Sequence, residues 1–265
     1  MITTTLGRWR NPPLAYVVAE LAISPYYSIG AAMPGLQDAL RTAYPRTIEG
    51  QEILFDPTGP AAPQPQQVWR LLSADQYRGV QIGARAISLH VTSYRDSTEF
   101  LDLWAEVLSG VAKANLGLFV ERAGLRYVDL IVPADGRVPS DYLASGPRGL
   151  PLPTGAALKN AMWQAAFAID GFMVNARTAA PTPEGLLLPP NFNALPLRKP
   201  AVMEVAEQKM MRDHKAVGFI DVDCISEVKE VFDRSRLVDL FTSMQKLTSR
   251  TFKSLLSSAA LEEWK

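Results

Sequence analysis

Three consecutive stretches, "QVWRLLS" (67–73), "YRGVQIG" (77–83) and "RAISLHVTSY" (85–94), alternate apolar with polar residues, and only short turns separate them. A period of two is that of a strand with one buried face, and connections this short return the chain antiparallel. In the third stretch Ile87, Leu89 and Val91 share one face, while Ser88, His90 and Thr92 share the other. The chain is therefore expected to build an antiparallel sheet, and its remaining segments must be compatible with packing on one.

Several segments are. "YVVAELAI" (16–23) reads as a strand entered from Asn11-Pro12-Pro13, which blocks helix. "PGLQDALRTAYP" sets Leu36, Ala39, Leu40 and Ala43 on one helical face between Pro34 and Pro45. Residues 56–65 carry too many prolines for an element. After the meander, Asp96 and Glu99 have the spacing of a capping box, followed by Phe100, Leu103, Trp104, Val107, Leu108 and Val111 at helical intervals. A strand is expected over 120–132.

Residues 133–155 are rich in proline and glycine, which suggests two α+β halves, 1–150 and 151–265. In the second half "MWQAAFAIDGFMVNART" and "LLLPP" read as strands. "AVMEVAEQKM" and "KAVGFIDVDCI" read as a further antiparallel pair, and the apolar stripe from Leu237 to Leu256 reads as a long helix. The order strand, strand, long amphipathic helix thus occurs twice. The expected fold is α+β, with antiparallel sheet and long amphipathic helices on one face, arranged as a twofold pseudo-repeat.

Composition narrows the function. Lys plus Arg and Asp plus Glu are both 27, so no basic excess favours phosphate binding through net charge. Cys224 is the one cysteine, which rules out an intrachain disulfide. No apolar run approaches the ~18 residues of a membrane helix and no export signal is evident, so a cytoplasmic location without a membrane partner is expected. No Walker-type loop, GxGxxG, GxSxG or HExxH occurs, so no cofactor is expected. His90 and His214 stand in no ligand or nucleophile motif.

Three groups of residues carry possible sites. In "ERAGLRYVDLIVP", Arg122, Gly124 and Arg126 share one strand face, and Tyr127 and Asp129 the other. Two arginines flanking a glycine suit an anionic ligand, but an internal brace for a carboxylate is the preferred reading. Asp221 and Asp223 form D-x-D on a strand, with carboxylates on one side at a spacing that suits a divalent cation; a solvated strand face is the plainer account. The loop 181–200 sets Leu186, Leu188, Phe192, Leu195 and Leu197 among prolines, as partner-binding anchors or as cover for the core.

"NPPLAYVVAEL", "VWRLLSADQYRGVQIG", "FLDLW", "ERAGLRYVDLIVP" and "FIDVDCI", in that order over nearly the whole chain, resemble a sporadically distributed, functionally uncharacterised family of bacterial proteins about this long. The R-x-GLRY motif, Arg122 to Tyr127, is the most specific part. The resemblance implies a bacterial protein associated with mobile elements or phage defence, and it transfers no catalytic residue. The preferred function is a non-catalytic binding or assembly subunit, with a protein partner or a homo-oligomer. The alternatives are a metal-dependent phosphoesterase or nuclease using Asp221 and Asp223, and nucleic-acid binding on a sheet face.

Overall fold

The fold is described by a computed structural model at residues 12–54, 64–134, 136–150, 154, 156, 158–183, 187–188, 195–213 and 216–264. The strands in chain order are β1 (Leu14–Ile23), β2 (Arg46–Leu54), β3 (Gln64–Leu72), β4 (Arg78–Gly83), β5 (Ala86–Val91), β6 (Phe119–Ile131), β7 (Met162–Ile169), β8 (Phe172–Ala179) and β9 (Gly218–Val231). The helices are α1 (Ile29–Leu40), α2 (Ser97–Ala114), α3 (Ser145–Arg148), α4 (Ala201–Arg212), α5 (Arg234–Leu255) and α6 (Ser258–Trp264). The chain is α+β. Among the described residues the nine strands form one sheet in the order β2-β3-β4-β5-β1-β6-β9-β8-β7, antiparallel at every pairing.

β1 lies inside the sheet between β5 and β6, and strand alternation divides its residues. Val17, Ala19, Leu21 and Ile23 enter the main apolar cluster, with Leu89 and Ile87 of β5, Leu125 of β6 and Val222 of β9. Helices α1, α2, α5 and α6 contribute Leu36, Trp104, Phe241 and Trp264 to the same cluster. Trp104 meets Phe241 edge-on at 5.2 Å, which ties α2 to α5. Gly110 lets Leu40 of α1 approach the backbone of α2, where a β-carbon would stand 2.8 Å from Leu40 Cδ2. A second cluster is built from the intervening strand residues Leu130, Phe219 and Ala179 together with Met203 and Ala206 of α4.

The α2 cap follows the sequence in part. Asp96 Oδ1 accepts the Glu99 N–H at 2.9 Å, while the Glu99 carboxylate lies 3.5 Å from Arg95 and 3.7 Å from Arg78.

Other expectations are corrected. "AVMEVAEQKM" is helix α4, not a strand paired with "KAVGFIDVDCI": Ala, Met, Glu, Gln and Lys are good helix formers, and Met203 and Ala206 recur at helical spacing toward the sheet. Helix α1 begins at Ile29 and carries Pro34 inside it; buried Ile29 and Met33 anchor the turn that the proline leaves without an N–H. β2 is a strand the alternation rule does not single out, paired along β3 from Arg46↔Leu72 to Leu54↔Gln64. The proline-rich loop expected at 56–65 lies outside the described residues, except that Gln64 and Pro65 begin β3. Of "LLLPP", only Leu187 and Leu188 are described, and neither is in a strand.

Candidate functional site

The register across β1, β6, β9 and β8 brings the polar residues of "GLRYVDLIVP" and "FIDVDCI" together. One row runs Val18, Arg126, Asp223, Asn175. The next runs Tyr16, Val128, Asp221, Arg177. On this face Arg126 reaches diagonally, donating from Nε to Asp221 Oδ1 and from Nη2 to Asp221 Oδ2, both at 2.8 Å. Arg177 Nη2 lies 2.8 Å from Oδ2 as well. Asp221 has no solvent exposure, so two guanidiniums from the flanking strands compensate its buried charge.

Asp223 points to the same face, as D-x-D on a strand requires. Burial raises its pKa, and Arg126 acts against that rise. The two carboxylates are thus on one side, but both oxygens of Asp221 are held by arginines. Among the described residues no group of three His, Cys, Asp or Glu side chains is placed to hold a metal ion.

Arg122 is half exposed and donates to Glu20 at 3.3 Å across the β1–β6 pair. Gly124 sits in regular pairing between Glu20 and Ile225, and a β-carbon there would meet no atom within 4 Å. The row continues through Glu20, Ser88, Gln81 and Arg70. This part of the face therefore carries both signs of charge. His90 is buried between Ser88 and Tyr16, with Nε2 2.8 Å from Ser88 Oγ and Nδ1 3.2 Å from Tyr16 Oη. Burial pushes its pKa down to about 3, so the ring is neutral. His214 lies outside the described residues. Cys224 is buried, and its thiol pKa is pushed up to about 12 by burial.

Tyr127 and Asp129 face the other side of β6. Both line a cavity of about 340 Å3, bounded by the start of β1, the start of α2 and the outer part of α5. The Tyr127 and Tyr94 rings meet edge-on at 6.0 Å. Burial, then the Asp221 charge, raises the Asp129 pKa well above the carboxylate range. Sequence reasoning missed Tyr94, Gln245, Thr248 and Ser249 in this lining, because two of the walls come from segments more than a hundred residues apart.

The leucine-rich segment is partly described. Leu195 is buried above Gly79, where the absence of a β-carbon admits it, and Leu197 packs against Gly79 and the Tyr16–Val128 pair. Leu188 is partly buried against Tyr16 and Val128. Leu186 and Phe192 lie outside the described residues. Thr92 Oγ1 donates to the Arg198 carbonyl at 2.7 Å and Arg198 N donates to Gln76 O at 2.8 Å, so this stretch is fastened to the ends of β4 and β5.

The outermost strand, β7, is unlike the other edge. Its sequence, "MWQAAFAI", has no charge and no proline, and Met162, Phe167 and Ile169 are exposed. Among the described residues β8 pairs it along one side only. Edge strand β2 carries Arg46, Glu49 and Glu52. No helix among the described residues is long and apolar enough to cross a membrane. Compared with protein-family models, curated proteins and solved structures, the chain matches none.

Proposed function

We propose that the protein acts by binding, as an assembly subunit, and that β7 is the joining edge, paired antiparallel with β7 of a second copy. The observation that carries this reading is the uncharged, apolar, one-sidedly paired edge. Natural sheets blunt free edges with charges, prolines or bulges, and β2 does so while β7 does not. An unpaired row of backbone N–H and C=O groups beside exposed apolar side chains is a template for strand addition.

Self-pairing suits this strand. A twofold axis normal to the sheet at Ala165 opposes no like charges, and it sets Phe167 on the same face as the partner's Trp163. The small residues Ala165 and Ala166 at the centre leave room for the two aromatic pairs. A phosphoesterase reading has less support, because Asp221 is held at both oxygens by arginine.

Sedimentation velocity across a concentration series tests the proposal, with Ala166→Lys/Phe167→Lys as the variant. The parent protein should form a dimer that the double lysine variant cannot, with the variant's melting behaviour at high dilution unchanged. A parent that stays monomeric at all concentrations, or a variant that dimerises equally well, overturns it.

A further inference from the structure

The cavity beneath Tyr127 and Asp129 is independent of the β7 edge. Its apolar walls are Pro13, Leu14 and Phe252, and its polar lining includes Gln245, Thr248 and Ser249. Asp129 is 5% exposed, and among the described residues its carboxyl makes neither a hydrogen bond nor an ion pair. The Tyr127 hydroxyl is enclosed beside that of Tyr94. A buried carboxyl without an internal partner is costly, and proteins ordinarily pair such groups.

The arginine at the mouth is already paired. Arg95 lies 3.3 Å from Asp96 and 3.5 Å from Glu99, and Asp96 already occupies the N-terminus of α2. An anion would therefore find no uncommitted cation there. The titratable groups around Asp129 are Tyr94 and Tyr127 beside it, Arg95 and Asp96 at the mouth and Asp221 across the strand; α5 lines the cavity with uncharged Gln245, Thr248 and Ser249. The group left without a partner among the described residues is the Asp129 carboxyl, which lines the cavity together with Tyr94, Tyr127 and Phe252.

We infer that this cavity is a binding site for a small organic cation, an amine on a short apolar body, whose ammonium pairs with Asp129 among the aromatic rings. An ammonium supplies the missing donors to the carboxylate and gains from neighbouring π faces, while the apolar body lies against Pro13, Leu14 and Phe252. Burial raises the pKa of the Asp129 carboxyl, and an ammonium seated beside it favours the carboxylate form.

Calorimetry on the full chain with benzylamine, benzyl alcohol and benzoate tests this at neutral pH. Benzylamine should bind saturably, and more tightly than either of the other two probes. Asp129→Asn is nearly isosteric and should weaken benzylamine roughly ten- to hundredfold, the loss of one charge-assisted hydrogen bond. Ser249→Phe, which fills the cavity from α5, should abolish binding. The inference is overturned if benzylamine shows no saturable binding, if benzyl alcohol or benzoate binds as tightly, or if benzylamine binding survives either substitution unchanged.

Discussion

Arg126 on β6 grips Asp221 on β9 with two parallel hydrogen bonds of 2.8 Å, and Arg177 on β8 takes the same carboxylate from the other side. One buried charge is thereby held by two strands at once. Arg126→Ala should destabilise the protein by about 3 kcal/mol, the low end for opening a buried ion pair, since Arg177 remains. Arg126→Lys should recover part of that, because an ammonium cannot match the fork. Urea unfolding of the two variants measures both, and an alanine variant of unchanged midpoint contradicts the brace.

Asp129 ties stability to pH with a definite sign. Its folded pKa is raised well above the ordinary 3.8, so its contribution is fully present below 3.8 and is lost as pH rises through the folded value. Asp129→Asn should therefore raise the melting temperature at neutral pH and leave it nearly unchanged at pH 3. Thermal scans at the two pH values suffice, and a variant less stable at neutral pH contradicts the assignment.

His90 works in the opposite direction. Its pKa is lowered from 6.5 to about 3, so its stabilisation is present above 6.5 and is lost as pH falls toward 3. His90→Gln, which keeps a hydrogen-bonding side chain and cannot titrate, should shallow the loss of stability across that window. An acid transition identical to that of the parent would show that His90 does not contribute to it.

Leu195 fills the space left by Gly79, so Leu195→Ser should lower stability by about 2–4 kcal/mol, the usual cost of emptying a buried leucine site. A melting temperature within a degree or so of the parent would return Leu195 to the role of a surface anchor.

Gly124 lies in regular strand pairing with open space above it, so Gly124→Ala should stabilise the protein by roughly 0.5–1 kcal/mol through the unfolded chain. Chemical denaturation reads this directly, and a destabilised variant would mean that something occupies the space.

The strands that were legible in the sequence are those with one apolar and one polar face, such as β5, where period-two alternation marks the strand although both of its faces are buried. The α2 helix was equally plain, because its apolar spacing and the Asp96 cap agree. α4 was misread because "AVMEVAEQKM" contains alternating apolar residues as well as helix formers, and its contacts with Leu130 and Phe219 come from distant segments. The faces of Arg126, Tyr127 and Asp129 followed from alternation alone. Their partners did not, since which strand lies beside β6 is set by the sheet order. The edge position of β7 was hidden for the same reason, although the turn Asp170-Gly171, with φ of 51° and 83°, is a recognisable hairpin signal.

Strand order also bears on the birth of the molecule. Of the nine described strands β1 is synthesised first, yet it lies between β5 and β6, so its pairing is complete only when both neighbours exist. The block β2-β3-β4-β5-β1-β6 is complete once Ile131 has emerged, but the outer side of β6 then waits roughly 90 residues for β9. Throughout that interval the nascent chain displays a central strand as a temporary margin, with Arg126 on it and Asp221 not yet synthesised. The arrival of β9 closes that margin and passes the free edge outward through β8 to β7.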